Sequence, residues 1–149
     1  MNARRALVAL ICSMALLAPR AAAAQGRPTP LEGFVASIAR MWSAGDANAV
    51  TALAPADHRM VLDLGTGQAE AAEARHVAAA LRELFRDRAT LSVRPTQVNI
   101  AGGSPLRGFG ELSWTSRPRG VTDSETSTVY IGAVWENSGW KIRELRVLR

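Results

Sequence analysis

The fold is decided by the stretch WSAGDANAV, residues 42–50, which ends one helix and starts another. Before it, apolar side chains recur at the i, i+3, i+4, i+7 spacing of an amphipathic helix. We expect that helix to begin at TPLE, residues 29–32, as a capping box with proline at the first helical position. Gly45 is the expected stop, and Asp46 is expected to cap a short helix that Pro55 ends.

After Pro55 the apolar pattern changes twice. Residues 59–64 alternate in the manner of a short strand, and GTG at 65–67 closes it. A third helix is predicted over about Glu70 to Arg86, with Val77 and Leu81 on its buried face. From about Ala89 onward the apolar period is two, which predicts strands to the end of the chain.

The second half of the chain reads as four strands. Its first strand changes parity near Arg94-Pro95, where a bulge would return Val98 and Ile100 to the face of Leu91 and Val93. Turn sequences at 102–105, 117–120 and 136–139 then separate strands near 107–115, 127–135 and 140–148. The strand at 127–135 is apolar on both faces and is therefore expected to be central. Helices followed by an antiparallel meander predict the α+β class, with the helices on one face of the sheet.

Residues 1–24 have the three parts of a secretory signal peptide. A basic start at Arg4 and Arg5 precedes an apolar run over 6–18, which is shorter than the about 20 residues that a membrane span needs. The small residues before Gln25 place cleavage near Ala24. We therefore expect a periplasmic or secreted protein without a membrane span, whose mature chain is one domain over residues 25–149.

Cysteine chemistry is not expected in the mature protein. Cys12 is the only cysteine, and it lies inside the predicted signal peptide. It is preceded by Ile11, whereas a lipid-attachment site needs a small residue there. The mature chain is thus expected to lack disulfides, a catalytic thiol and cysteine-bound zinc.

Net charge does not indicate a nucleic-acid partner. The whole chain carries +5, but without Arg4, Arg5 and Arg20 its 18 basic residues become 15 against 13 acidic ones, a balance of +2. Phosphate-backbone binding needs a clustered basic face. Arg94, Arg107, Arg117 and Arg119 follow strand edges and turns, and we interpret them as a solvated rim rather than an anion site.

The order of elements, together with residues 34–64 and the Gly-Asp junction at 45–46, resembles the nuclear transport factor 2-like superfamily. RGFGEL at 107–112 and WKIREL at 140–145 look most like a secreted bacterial branch of it whose function is uncharacterised. The resemblance spans residues 30–149. It implies a cone in which N-terminal helices pack on a curved, mostly antiparallel sheet. Members include ketosteroid isomerase-like and SnoaL-like enzymes as well as noncatalytic binding and dimerisation modules, so the resemblance assigns no catalytic residue.

The titratable residues give weak catalytic candidates only: Asp63, His58 and Tyr130. His58 and Asp63 have opposite parity along a strand and are not expected to form a dyad. Asp57 and His58 fit a solvated turn, while Asp63 is either solvent-facing or a buried acid of raised pKa. With His76 at the flank of its helix, two histidines predict no metal site, and the GTG turn lacks the pattern of a nucleotide loop. No cofactor is predicted.

Aromatic side chains mark the predicted ligand pocket, although core packing is the competing interpretation. If the cone is hollow, Trp42, Trp114 and either Tyr130 or Trp135 would line it. We therefore expect a noncatalytic module that binds a small apolar ligand or an envelope protein, with a homodimer through the sheet face as another arrangement. The alternative is an isomerase, dehydratase or cyclase that uses a pocket carboxylate or histidine, with Tyr130 as hydrogen-bond donor.

Overall fold

A computed structural model describes residues 30–149. The predicted signal peptide, its cleavage site and Thr29 of the predicted capping box lie outside the described residues. Within them, three helices precede or interrupt a six-stranded sheet. The predicted α+β class is confirmed.

The helices are α1 (Leu31–Ala44), α2 (Ala47–Thr51) and α3 (Ala74–Asp87). Gly45 ends α1 as expected, because its φ of 67° is a left-handed conformation that favours glycine. Asp46 then caps α2 by accepting a hydrogen bond from the backbone N–H of Ala49 at 2.9 Å. Proline was expected at the first helical position, but Pro30 occupies the N-cap position, one residue earlier.

Pro55 does not end α2 either. This helix already stops at Thr51, whose hydroxyl donates to the carbonyl of Ala47 at 2.9 Å. A serine or threonine hydroxyl that bonds back to the preceding turn competes with the helical backbone pattern. The chain has therefore left the helix before it reaches the proline.

The sheet consists of β1 (Arg59–Asp63), β2 (Glu70–Glu73), β3 (Arg88–Gly102), β4 (Arg107–Pro118), β5 (Glu125–Glu136) and β6 (Gly139–Leu148). Their order is β2-β1-β6-β5-β4-β3, and among the described strands only β1 and β6 pair in parallel. The last four strands form the predicted antiparallel meander, in which β5 lies between β4 and β6 as expected.

Strand β2 replaces the predicted first turn of the third helix. Residues 70–73 have high helix propensity, and this is why the prediction placed them in the helix. They instead pair antiparallel with β1, with Arg59 opposite Glu73 and Leu62 opposite Glu70. Pairing with a neighbouring strand outweighs local helix propensity here, and α3 begins only at Ala74.

Strand β3 contains the predicted irregularity near Pro95 and two more. Its pairing with β4 shifts register at Thr90/Ser92, Pro95/Gln97 and Ile100/Gly102. Val93 and Val98 both pack against the core, as one bulge between them predicts. Leu91 and Ile100 lie at the two additional shifts and are 51% and 57% exposed, so the prediction that they share this face was wrong. Bulges of this kind bend and twist an edge strand.

One face of the sheet packs against the helices, and we call it the inner face. Its buried side chains alternate along β4, β5 and β6 with those of the opposite, outer face, as strand geometry requires. The inner face contributes Leu112, Trp114, Val129, Ile131, Ile142 and Leu145 to the core. Helices α1 and α3 complete that core with Val35, Ile38, Trp42, Val77 and Leu81.

Candidate functional site

Asp63 is occupied by the turn that follows β1. Its Oδ1 accepts hydrogen bonds from the backbone N–H groups of Gly65 at 3.0 Å, Thr66 at 3.0 Å and Gly67 at 3.2 Å. Burial raises the pKa of this carboxyl, but the hydrogen bonds lower it by more, and the net pKa lies below the ordinary 3.8. The solvent-facing alternative was wrong, and the alternative of a buried acid was right about burial but wrong about the direction of the pKa.

The two histidines lie on the surface, as the solvated-turn interpretation of His58 requires. His58 precedes β1 with a φ of 53° and is exposed, and His76 is exposed on α3. Asp57 pairs with Arg143, at 2.8 Å between Oδ2 and Nη1, and this hydrogen bond is the main reason that the Asp57 pKa is lowered. His58 and Asp63 stand at opposite ends of β1, about 16 Å apart at the rise of a strand, and they form no dyad.

Tyr130 belongs to the outer face and lies two strands away from Asp63, with β6 between them. Asp63 on β1 is opposite Arg146 on β6, and Arg146 is opposite Tyr130 on β5. Two strand spacings separate the carboxylate strand from the phenol strand by roughly 10 Å. The structure therefore does not bring the predicted acid–base candidates into hydrogen-bond contact.

The four aromatic residues proposed for one pocket are divided between the two faces. Trp42 and Trp114 are fully buried on the inner side and meet edge to face, with ring centroids 5.5 Å apart. Trp135 packs edge to face with Trp140, with centroids 5.4 Å apart, at the β5–β6 hairpin. Tyr130 alone of the four lies on the outer face. Trp42 and Trp114 act as core, which was the competing interpretation.

The inner side is closed where β4 meets α1. A Cβ added to Gly108 would lie 2.4 Å from Cδ2 of Leu31, and one added to Gly110 would lie 2.5 Å from Cγ2 of Val35. Both glycines are required because the helix contacts the strand backbone this closely. Packed side chains occupy this part of the predicted cone.

A groove of about 530 Å³ lies instead over the outer face, and we call it the outer-face groove. Phe109 and Tyr130 stack along it with centroids 5.9 Å apart and an interplanar angle of 23°. A Cβ added to Gly132 would lie 3.0 Å from Cβ of Glu144 and 3.6 Å from the Tyr130 ring, so glycine at this position lets both side chains lie close to the β5 backbone. The groove is lined by Ala101, Pro105, Arg107, Gly108, Phe109, Tyr130, Gly132, Ala133, Val134, Arg143 and Glu144.

The groove combines this aromatic surface with polar groups. Burial and the nearby Glu144 carboxylate raise the pKa of the Tyr130 phenol, so its hydroxyl stays protonated and can donate a hydrogen bond at neutral pH. Glu144 is itself paired with Arg146. Such a site can hold a ligand by stacking and by a few directed polar contacts.

Sequence reasoning missed Phe109 and Gly132 as groove residues. The alternation of side chains along β4 was the available signal. It places Phe109 on the same face as the polar residues Glu111 and Ser113, which is the face away from the core. Arg107 was interpreted as part of a solvated rim, and it is exposed at the edge of the groove.

The described part of the chain contains no cluster of three or more His, Cys, Asp or Glu residues that could hold a metal ion. None of its helices is long and apolar enough to cross a membrane.

Solved structures with the same arrangement of elements identify the fold. A DUF4783 family protein from Bacteroides ovatus is 11% identical and covers 82% of this chain and 96% of its own, with a TM-score of 0.61. A domain of unknown function with a cystatin-like fold from Nostoc punctiforme is 14% identical and covers 80% of this chain and 74% of its own, with a TM-score of 0.61.

An NTF2-like protein with a cystatin-like fold from Novosphingobium aromaticivorans is likewise 14% identical and covers 78% of this chain and 77% of its own, with a TM-score of 0.56. No protein-family model matches the sequence, and no curated protein matches it. The chain has the nuclear transport factor 2-like fold, as its resemblance to that superfamily implies. Membership of a secreted branch stays a prediction.

Proposed function

We propose that the protein is an exported, noncatalytic binding module and that its ligand or partner docks in the outer-face groove. The observation that carries this proposal is the stacked pair of Phe109 and Tyr130 beside Gly132, on the face opposite the helices. The groove volume of about 530 Å³ lies within the range of roughly 300–1,000 Å³ found for small-molecule sites.

The separation of the titratable candidates supports a noncatalytic role. General acid–base chemistry needs the participating groups within hydrogen-bond reach of one substrate. Here the Asp63 carboxylate is bound by the N–H groups of its own turn, and His58 lies beyond the other end of β1. Tyr130 is left as a hydrogen-bond donor for binding.

Binding of the neutral apolar dye Nile red, followed by fluorescence, tests the groove. The double variant Phe109→Thr/Tyr130→Thr keeps residues that suit a strand but removes the stacked surface, and we expect it to lose at least about nine-tenths of the dye affinity, since stacking on two aromatic rings is the main apolar contact. The matched control is Thr115→Ala/Thr126→Ala, a cross-strand pair on the same two strands whose hydroxyls are 3.0 Å apart.

The control variant is expected to bind the dye like the unmodified protein, as are Asp63→Asn and His58→Gln. Circular dichroism establishes that every variant is folded. Failure of the unmodified protein to bind the dye, or full binding by the folded Phe109→Thr/Tyr130→Thr variant, would overturn the assignment of the groove.

A second copy of the chain is the other candidate partner of the groove, because a homodimer through the sheet face would cover it. The stacked rings of Phe109 and Tyr130 favour the homodimer, because both are partly exposed on the outer face. Light scattering at tens of micromolar decides between the two arrangements. A dimer mass that falls to the monomer mass in Tyr130→Arg supports the interface, and a monomer mass in the unmodified protein removes it.

Export is the remaining part of the proposal and rests on the signal sequence at residues 1–24. N-terminal sequencing of the protein recovered from the cell envelope is expected to begin near Gln25. An intact Met1 would contradict cleavage.

A further inference from the structure

We propose that the outer-face groove selects a planar aromatic carboxylate and that Arg107 is the residue that binds the carboxylate. This inference rests on the proposed binding function and specifies the chemistry of its ligand. Two observations support it. The other charged residues of the groove have ion-pair partners, and Arg107 lies on the same face as the aromatic stack.

Two of the three charged residues that line the groove are paired. Arg143 donates from Nη1 to Oδ2 of Asp57 at 2.8 Å and to the carbonyl of Arg59 at 3.4 Å. Glu144 accepts from Nε of Arg146. The Arg107 side chain forms no ion pair or hydrogen bond with any described residue, so the unpaired charge among the lining residues is positive.

Arg107 also stands at the right place to receive an anion from a stacked ligand. It lies two residues before Phe109 on β4, and both side chains project from the outer face about 7 Å apart at the strand rise. Val134 and Gly132 are their neighbours on β5. A ligand ring that packs against Phe109 in the groove can therefore direct a substituent along β4 toward the guanidinium.

The polar groups of the groove match a carboxylate better than an amine. The Arg107 guanidinium presents several N–H donors in a plane and can bind both oxygens of a carboxylate. The protonated Tyr130 hydroxyl adds a neutral donor. An ammonium group would be repelled by Arg107 and would find the Glu144 carboxylate already engaged by Arg146.

Isothermal titration calorimetry with three ligands of one shape tests the inference: 2-naphthoate, the neutral 2-naphthamide and the cationic 2-naphthylmethylamine. We expect the unmodified protein to bind the carboxylate about tenfold more tightly than the amide, the size of a charge-assisted hydrogen bond at a solvent-exposed site. The amine is expected to bind more weakly than the amide.

Arg107→Gln is expected to reduce the preference for the carboxylate over the amide to within about twofold while amide binding stays unchanged, because only the charge is removed. Arg107→Lys should retain part of the preference. Arg94→Gln is the matched control, since Arg94 is another exposed arginine, on strand β3 and outside the groove lining, and it should leave all three affinities unchanged.

Equal binding of the carboxylate and the amide, or tightest binding of the amine, would overturn the ligand class while the groove itself stands. A carboxylate preference that survives in Arg107→Gln would overturn the role of Arg107. Absence of binding by all three ligands would also overturn the inference, and the Nile red titration then decides separately whether the proposed binding function falls with it.

Discussion

The inner and outer faces of strands β4 and β5 use alternate residues of the same segments for different purposes. On the inner face, Gly110 admits α1 so closely that Val35 would contact any added side chain. On the outer face, Gly132 admits the side chains of Glu144 and Tyr130 rather than a helix, and it lines the groove. Glycine thus admits a helix on one face and neighbouring strand side chains on the other, and only the outer face keeps a groove, which is where we propose recognition.

The largest difference between the faces is expected on removal of one aromatic side chain from each. Trp42→Ala should reduce the free energy of unfolding by about 3–5 kcal/mol, the usual cost of a large cavity in a packed core. Tyr130→Ala should cost only about 1 kcal/mol, mostly lost stacking on Phe109. Urea denaturation measures both values, and equal losses would contradict the distinction between a packed face and a binding face.

Trp42→Phe sharpens the same comparison. The indole N–H of Trp42 is buried and finds no acceptor among the described residues. A buried donor without a partner costs free energy, so its removal offsets part of the lost packing. The phenylalanine variant should therefore lose much less stability than the alanine variant.

The next largest effect is expected from filling the close contact between β4 and α1. Gly110→Val should destabilise the protein by about 1–3 kcal/mol through overpacking against Val35. Gly139→Val is the control, because nothing lies within 4 Å of a Cβ added there, and it should change stability by less than about 0.5 kcal/mol. Equal effects in thermal or urea unfolding would show that the inner side is not closed at Gly110.

A smaller effect concerns the turn after β1. The folded-state pKa of Asp63 lies below its ordinary 3.8, so its stabilising contribution is complete above that pH and disappears as the pH falls through the folded pKa. Asp63→Asn should reduce stability at pH 7 and flatten its decline below about pH 4. Arg143 also stabilises the charged form of Asp57. The loss of stability at low pH should therefore be reduced in Asp63→Asn rather than abolished. An unchanged pH profile would contradict the role of the Asp63 carboxylate.

The smallest effect is expected on the solvent side of α1. Gly33 is exposed, and nothing lies within 4 Å of a Cβ added there. Gly33→Ala should raise the free energy of unfolding by about 0.5–1 kcal/mol, because alanine loses less backbone entropy in a helix. Destabilisation in the same urea experiment would indicate that this side of the helix is packed.

Local signals in the sequence predicted the elements that depend on single residues. Gly45 and Asp46 define the α1–α2 junction through a left-handed backbone and a side-chain cap, both of which are local. The helix–strand error at residues 70–73 has a nonlocal cause, since pairing with β1 decides it. The extra bulges in β3 likewise depend on its register against β4.

The candidate site was predicted only in part, because a face of a sheet is set by register across strands. Tyr130 was identified as a pocket residue, but its neighbour Phe109 comes from another strand and reaches it only through the β4–β5 pairing. Trp42 and Trp114 were expected beside it because aromatic type alone does not reveal on which face a residue lies. Parity within a strand separates Tyr130 from Val129 and Ile131, but it does not identify which face the helices cover.

Chemical-shift mapping with 2-naphthoate in amide and indole NMR spectra tests most directly whether recognition occurs on the outer face. Gly132 reports on the groove, and the indole N–H groups of Trp42 and Trp114 report on the inner side. We predict that the ligand shifts the Gly132 amide and its neighbours on β4 and β5 while both indole signals stay in place. Displacement of the indole signals with an unmoved Gly132 amide would contradict the account.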